Sequence, residues 1–225
     1  MMQVEYVDGH VILESGGARV LLDTGAPISV GSVRNWTFEG MPVHLERDYY
    51  GVTAEKLSAH IGAGIDVLLG MDFLGEKVFQ IDVEAGQFRL LEPTDPLPDG
   101  ERVPITLMVG VPTIGFHLDG AEIRAFLDTG ARLSYLSGDL IAGFDAVATV
   151  RDFHPSAGLF ETPVRLVPVA FGQTPATLHS GALPPQLDVS LSAVGVRGIV
   201  GTDLLEQFIV TFSVPTGQLV LSTPT

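Results

Sequence analysis

The chain has 225 residues, enough for one large domain or two small ones. It carries 27 Asp and Glu against 12 Lys and Arg, a formal net charge of −15. This charge repels phosphate backbones and anionic lipid surfaces, so we expect neither nucleic acid nor a membrane as a partner. The lack of cysteine excludes disulfides, thiolate metal sites and a cysteine nucleophile.

The N-terminal residues contain no basic segment that leads into a long apolar core, and no apolar run approaches a membrane span in length. We therefore expect a cytoplasmic protein without a long prosegment. Hydrophobic residues make up 46% of the chain, and the many Val, Gly and Pro residues favour short buried strands and tight turns. A mainly β fold with short helices is predicted.

The first half begins with three predicted strands. The turns between them are Asp8-Gly9 and Gly16-Gly17, which are typical of β-hairpins. Residues 36–43 fit a further hairpin. Residues 53–60 are predicted as a short helix that begins after an N-cap at Thr53.

Each half closes with the same unit, a buried strand, a short helical turn and a hairpin. The unit spans 16 positions from Gly70 to Gly86 and again 16 from Gly201 to Gly217, so the two copies superpose without a gap. Such a duplication predicts two similar lobes.

The predicted boundary between the lobes is a Pro-rich and acidic segment, residues 93–102, which reads as a semi-rigid linker. The N-terminal lobe is then residues 1–92 and the C-terminal lobe residues 103–225.

One motif occurs once in each half, at the end of an apolar, strand-like run. It reads Asp23-Thr24-Gly25-Ala26 in the first half and Asp128-Thr129-Gly130-Ala131 in the second. A carboxylate at the end of a buried strand is costly unless it is paired or used. A following Gly lets the backbone turn tightly and point amides back at the carboxylate. The alternative is an Asp that only caps a turn; two copies in matched frames favour a functional pair.

The halves differ in length between these anchors. Asp23 to Gly70 spans 47 positions and Asp128 to Gly201 spans 73, so the second half carries 26 extra residues. Much of the excess reads as a long hairpin over residues 147–166 with a turn at 154–158, the shape of a lid. Ser156 in this turn is interpreted as a turn residue and not as a nucleophile, because the setting of a nucleophile elbow is missing.

The Asp-Thr-Gly-Ala loop followed later by Gly-x-Asp-x-Leu, in both halves, resembles the aspartic proteases. The closer resemblance is to the retroviral-type family, including the retropepsin domains of the DNA-damage-inducible ubiquitin-shuttle proteins. Ser29 and Ser134, each three positions after the Ala, and a closing Gly-Gln hairpin extend it over most of both halves. The resemblance implies an acid-protease-like fold of two homologous retropepsin-type lobes with the active site between them.

The resemblance also implies an activity, that of an aspartic endopeptidase acting on a peptide or protein, with no cofactor and no metal. Asp23 and Asp128 would flank one water. Like charges about 3 Å apart cannot both ionise, so such a pair shares one proton and loses its two protons in well-separated steps. One carboxylate takes the proton of the water while the other polarises the scissile carbonyl.

The remaining loop residues have supporting roles in that family. Thr24 and Thr129 would bond across to the opposite loop. Gly25 and Gly130, next to Ala26 and Ala131, would aim amides at the carboxylates. Gly70 and Gly201 would let a neighbouring strand pass closely beneath each loop.

The sequence departs from the family at two places. Pro27-Ile28 and Arg132-Leu133 follow the motifs where retroviral enzymes have acidic residues, so subsite preferences do not carry over. Retroviral enzymes close two flaps and pepsin closes one from its first lobe, but the long hairpin here belongs to the second half. We expect Phe153, His154 and Phe160 near this lid, in contact with substrate.

Other polar residues are assigned structural roles. The six histidines show no metal-ligand spacing and are read as surface or core residues, with only His154 on a suspected functional loop. Asp72 and Asp203 are predicted to cap the short helices after Gly70 and Gly201.

Two alternatives remain open at this stage. One is a peptide-binding or assembly module that keeps the fold with little turnover. The other is a dimer in which like lobes of two chains pair Asp23 with Asp23. The short linker and the unequal lobes favour a monomer with pairing inside one chain, and the compact format suggests a bacterial source.

Overall fold

The computed structural model describes residues 1–33, 35–154 and 157–224. These residues form a mainly β structure, which confirms the predicted fold class. Within these three ranges, no helix is both long enough and apolar enough to cross a lipid bilayer.

The described part of the first half consists of short strands and two short helices. The elements are β1 (Met2–Val7), β2 (His10–Ser15), β3 (Ala18–Leu22), β4 (Val30–Gly31), β5 (Thr37–Phe38), β6 (Met41–Pro42), α1 (Ala54–Ile61), β7 (Val67–Leu69), α2 (Met71–Leu74), β8 (Val78–Asp82) and β9 (Gln87–Leu91).

The predicted hairpins of the first half are confirmed. Strands β1, β2 and β3 pair antiparallel in sequence. Asp8 and Gly9 both have positive φ, 46° and 81°, as the tight turn between β1 and β2 requires. Strand β3 then pairs in parallel with β7, which also pairs antiparallel with β4. The loop after Leu22 therefore leaves the sheet beside the end of β7.

Helix α1 confirms the predicted helix and its cap. The Thr53 side chain accepts a hydrogen bond from the Lys56 amide at 3.3 Å, and Gly62 ends the helix with a φ of 73°. The predicted hairpin at residues 36–43 is also present, but its strands β5 and β6 have only two residues each.

The second half repeats this series with longer strands. Its described elements are β10 (Glu101–Met108), β11 (Val111–Leu118), β12 (Ala121–Leu127), β13 (Ser134–Leu136), α3 (Gly138–Ile141), β14 (Ala146–His154), β15 (Gly158–Phe171), β16 (Thr174–Ala182), α4 (Pro185–Ser192), β17 (Gly198–Val200), a 3₁₀ turn (Thr202–Leu204), β18 (Ile209–Ser213), a second 3₁₀ turn (Val214–Thr216) and β19 (Gln218–Ser222).

The strand pairing around the second motif matches that of the first. Strand β12 pairs in parallel with β17, and β17 pairs antiparallel with β13. The second half adds the predicted long hairpin of β14 and β15. Strand β15 continues from this hairpin into the body of the half, where it pairs with β16.

A six-stranded antiparallel sheet joins the two halves in the order β1-β9-β8-β18-β19-β10. At its centre Phe79 of β8 lies opposite Phe212 of β18, and their rings stack at 4.5 Å between centroids. Gln80 donates a hydrogen bond to Thr211 across the same pair of strands. The chain passes between the halves through residues 92–100, which contain no strand or helix.

Candidate active site

The two Asp-Thr-Gly-Ala loops begin at equivalent points of the two halves. Asp23 follows β3, and its amide donates to the carbonyl of Leu69 on β7 at 3.1 Å. Asp128 follows β12, and its amide donates to Val200 on β17 at 2.9 Å. Each loop is therefore positioned by a parallel strand pair inside its own half.

The loops are joined by four reciprocal hydrogen bonds between buried threonines and the opposite loop. Thr24 Oγ1 accepts from the Thr129 amide at 3.0 Å and donates to the Leu127 carbonyl at 2.8 Å. Thr129 Oγ1 accepts from the Thr24 amide at 3.0 Å and donates to the Leu22 carbonyl at 2.9 Å. These contacts fix the two loops against each other, as the resemblance implied.

Each glycine of the motif lies against the aspartate of the opposite half. A Cβ added to Gly130 would lie 2.5 Å from Asp23 Cγ, and one added to Gly25 would overlap the Asp128 carboxyl. The Gly130 amide donates to Asp128 at 2.8 Å, and the Ala26 amide donates to Asp23 at 2.9 Å. The absence of these side chains lets the two carboxyl groups approach each other.

The two carboxyl groups face each other within hydrogen-bonding reach at the floor of one cavity. Burial raises the pKa of Asp23 well above its usual range, and the neighbouring Asp128 carboxyl raises this pKa further. Amides of Ala26 and Gly25 oppose part of the rise by donating to Asp23. A pair in this setting holds a proton at a pH where separate carboxyls would both be ionised.

Two serines and two acids support the loops from beneath. Ser29 Oγ donates to Asp72 at 2.6 Å and accepts from the Gly70 amide at 2.9 Å. Ser134 Oγ does the same with Asp203, at 2.7 Å, and with the Gly201 amide, at 3.1 Å.

The prediction that Asp72 and Asp203 cap the helices is therefore wrong. The N-cap positions are Gly70 and Gly201, so neither helical turn has a side-chain cap at its start. Both serines are fully buried, so each hydroxyl needs an acceptor, and the carboxylate supplies it.

The prediction for Gly70 and Gly201 is confirmed. A Cβ on Gly70 would lie 2.6 Å from the carbonyl oxygen of Ile28, and one on Gly201 would overlap that of Leu133. The loop after each motif thus passes directly against these glycines.

A cavity of about 390 Å³ lies above the dyad and is mostly apolar. Side chains of the first half form one wall, and side chains of the second half form the other. The first wall includes Leu21, Val30, Tyr49, Val52, Leu57 and Ile61, and the second includes Tyr135, Leu159, Phe160, Pro184, Leu187 and Ile199.

The β14–β15 hairpin covers this cavity. Phe153, His154 and Phe160, the residues predicted to lie near the lid, all line the cavity. The Phe153 ring stacks on His60 of α1 with centroids 4.0 Å apart and planes 16° apart, so the hairpin reaches the first half. Burial lowers the pKa of His154. Ser156 lies outside the described residues.

Sequence reasoning missed several polar residues of the cavity wall. His10 and His60, read as surface or core residues, both line the cavity. The buried Nδ1 of His10 has no hydrogen-bond partner among the residues that the structure describes, and burial lowers the pKa of this side chain. Arg132 and Asp152 also line the cavity, beside the hairpin. No local pattern marks His10 or His60, because they reach the cavity only through the relative placement of distant segments. Arg132 directly follows the second motif and Asp152 precedes Phe153 on the predicted hairpin, and these positions are the signals that could have identified them.

The described residues offer no metal site. In residues 1–33, 35–154 and 157–224, no group of three or more His, Asp or Glu side chains is arranged to hold a metal ion.

Comparison with known proteins identifies the fold of the chain. No protein-family model and no curated protein sequence matches the chain. Among solved structures, the aspartic proteinase of Irpex lacteus aligns over 100% of this chain and 97% of its own, with a TM-score of 0.53 and 12% identity. A retropepsin-like aspartic protease of Rickettsia conorii aligns over 56% of this chain and 96% of its own, with a TM-score of 0.38 and 14% identity.

The full-length alignment shows that the chain has the fold of the pepsin-like aspartic proteases. At this identity the likeness concerns the fold alone. The assignment of an activity must come from the site itself.

Proposed function

We propose that the protein is an aspartic endopeptidase that hydrolyses peptide bonds with the Asp23 and Asp128 pair. The observation that carries the proposal is the pair of facing carboxyl groups at the floor of a mostly apolar cavity of about 390 Å³. A pair that only held the loops together would not need a cavity above it. The Thr24 and Thr129 bonds already perform that structural task.

The proposed chemistry needs one water and one shared proton. The ionised carboxyl takes a proton from the water while the oxygen of the water bonds to the scissile carbonyl carbon. The protonated carboxyl donates its proton to the carbonyl oxygen, which gives a neutral diol. In the collapse of the diol, the pair donates its proton to the nitrogen and takes a proton from a diol hydroxyl as the C–N bond breaks. The products are an amine and a carboxylic acid, and the pair again holds a single proton.

The raised pKa of Asp23 supports this role. Burial and the adjacent carboxyl keep one proton on the pair above the pH at which an exposed Asp loses its proton. The singly protonated form is the form that the mechanism requires, so activity should decline as the pH rises through the upper apparent pKa of the pair.

We further propose that the protein works as a monomer on a peptide or protein substrate. Both aspartates of the pair come from one chain, and a continuous sheet joins the halves through β8 and β18. A molecular mass in solution near that of one chain is expected, and a mass near that of two chains would contradict this part of the proposal.

The experiment is an incubation with a complex peptide mixture across roughly pH 3 to 7, the range in which a carboxyl pair changes its shared protonation. New termini are identified by mass spectrometry beside Asp23→Asn, Asp128→Asn and the exposed linker control Asp95→Asn. We expect cuts with the unmutated protein and the control, and none with either dyad variant. Folded protein that makes no cuts at any pH would overturn the proposal, and a bound peptide would then indicate a binding module.

A further inference from the structure

The side chain of Arg132, four residues after Asp128, contacts two separate parts of the chain. Its Nη1 donates to Asp8 Oδ2 at 2.7 Å, and its Nη2 donates to the carbonyl oxygen of Arg151 at 2.8 Å. Its Nε lies 3.5 Å from Asp152 Oδ2. Asp8 belongs to the β1–β2 turn of the first half, and Arg151 and Asp152 belong to β14 of the covering hairpin.

The contacts of Asp152 extend this link. Its carboxylate accepts a hydrogen bond from the hydroxyl of Tyr135, a buried residue of β13, and another from the Phe153 amide at 2.7 Å. Phe153 is the residue that stacks on His60 of the first half. Arg132 and Tyr135 therefore hold the strand segment that ends in the contact across the cavity.

The first-half turn is also fitted closely to Arg132. A Cβ on Gly9 would lie 2.5 Å from the Cβ of Arg132, so the turn packs directly on this side chain. The equivalent position of the first motif is Pro27, which has no charge. The turn that packs there, at Gly110, would place a Cβ 3.2 Å from the proline.

The asymmetry of these two positions follows the asymmetry of the fold. The half with Arg132 carries the long hairpin, whereas the described hairpin between Pro27 and α1 in the other half has strands of only two residues, β5 and β6. We propose that Arg132 is a positioning residue that holds the hairpin over the dyad, by joining β14 to the dyad loop and to the turn at Asp8.

The exposure of the partners predicts which contacts matter more. The side chains of Arg132 and Asp152 are each 20% exposed, whereas that of Asp8 is 60% exposed. Water and salt weaken the pair with Asp8, so the contacts with β14 carry most of the positioning effect. The planar guanidinium donates to Asp8 and to the Arg151 carbonyl at once, while its Nε lies at ion-pair distance from Asp152 without a hydrogen bond in the described structure; the ammonium of a lysine cannot reproduce this arrangement.

Hydrogen exchange read by mass spectrometry tests the proposal without any assay of cleavage. In Arg132→Met, we expect amides of residues 146–154 and 158–166 to exchange about tenfold faster. This factor corresponds to the stability that charge-assisted hydrogen bonds contribute to a local segment. Arg132→Lys should restore part of the protection, and Asp152→Asn should act more strongly than Asp8→Asn. Arg19→Met, which removes an exposed ion pair with Glu5 inside the first half, is the matched control.

Unchanged exchange in the hairpin of folded Arg132→Met would overturn the proposal, as would faster exchange spread evenly over the whole chain. If Arg132→Met does not fold, Arg132→Lys and Asp152→Asn should show the same faster exchange in the hairpin, with a smaller increase in rate. Unchanged hairpin exchange in both of these would equally overturn the proposal.

The consequence for cleavage rests on the proposed function. KM should rise about tenfold in Arg132→Met while kcat changes less, because the hairpin faces the bound peptide and the dyad stays in place. If the unmutated protein cuts no peptide but the hairpin of Arg132→Met still exchanges faster, only the protease proposal is contradicted. An active protein with unchanged KM and unchanged exchange would contradict the positioning proposal alone.

Discussion

The two halves of the molecule are nearly equivalent at the floor of the cavity and different above it. At the floor, each half contributes one Asp, one Thr that bonds across, and one Gly that lies against the opposite carboxyl. Above the floor, the first half presents helix α1 and the second half presents the β14–β15 hairpin.

For the proposed hydrolysis of peptides, this difference separates what the carboxyl pair needs from what a bound peptide needs. Sharing one proton requires two carboxyls close together. Each half provides this proximity by placing a Gly against the opposite carboxyl, so the floor repeats the same motif from both sides. An extended peptide has different groups on the two sides of the scissile bond, so nothing requires symmetric walls. The hairpin of one half and the helix of the other form a single cover.

The first prediction tests the symmetry of the floor and has the largest expected effect. Gly25→Ala and Gly130→Ala each insert a Cβ into the opposite carboxyl. A displacement of about 1 Å in a catalytic group costs about 10²-fold, so kcat/KM should fall at least that far in both variants. The rate is measured on a peptide taken from the mixture experiment.

The matched controls are Gly64→Ala and Gly143→Ala, one in each half, where an added Cβ would have no atom of the described residues within 4 Å. Both should keep the rate of the unmutated protein. A large loss in only one of the two motif variants would show that the halves are not equivalent at the floor.

The repeated part of this arrangement could be predicted from the sequence. Two copies of one motif in matched frames placed Asp23 and Asp128 at equivalent strand ends, and the 26 extra residues predicted the long hairpin. Both predictions rest on short-range patterns or on counting, which do not require knowledge of how distant segments pack.

The unrepeated part could not be predicted. The contact of Arg132 with Asp8 and the stack of Phe153 on His60 join segments far apart in the chain, and only the packing of the two halves creates them. No repeated motif marks β16 or α4, so the sequence does not predict them. The acids at 72 and 203 were assigned as caps because their buried serine partners lie 43 and 69 residues away.

The second prediction concerns these two acids, which occupy equivalent positions in unequal surroundings. Asp203 is buried because β16 passes over it, with the His179 amide donating to its carboxylate at 2.8 Å. In the second half, β16 pairs with β13. The equivalent place in the first half has a single β-bridge, between Val30 and Glu46, and Asp72 is exposed.

Burial raises the pKa of Asp203 to about 7 from the ordinary 3.8. Between these values the native state binds more protons than the unfolded state, so the stability from this group is full at low pH and is lost as the pH rises through about 7. Between pH 5 and 7 the change amounts to about 2 kcal/mol in the free energy of unfolding.

Urea unfolding of Asp203→Asn should lack this part of the pH dependence. Asp72→Asn is the matched control and should keep it, since Asp203 remains. His10 and His154 contribute with the opposite sign, because burial lowers the pKa of each and the native state resists protonation below the ordinary 6.5. Their contribution is common to all three proteins and cancels in the comparison. Equal pH dependence in both variants would contradict the assignment to Asp203.

The third prediction tests whether the cover is shared between the halves, and it has the smallest expected effect. An aromatic pair such as Phe153 and His60 contributes about 1 kcal/mol beyond its buried area. His60→Ala should therefore lower kcat/KM about fivefold. His44→Ala is the matched control, because this exposed histidine of the first half pairs with Glu46 and is not among the described residues that line the cavity.

A double-mutant cycle distinguishes the stack from a general loss of the α1 surface. If His60 acts through the Phe153 ring, His60→Ala should add little to the effect of Phe153→Leu, because the partner is already gone. Additive effects would mean that each side chain contacts the substrate independently. In that case the hairpin and α1 would be two separate walls, and the asymmetry above the dyad would reflect two subsites and not one cover closed from one side.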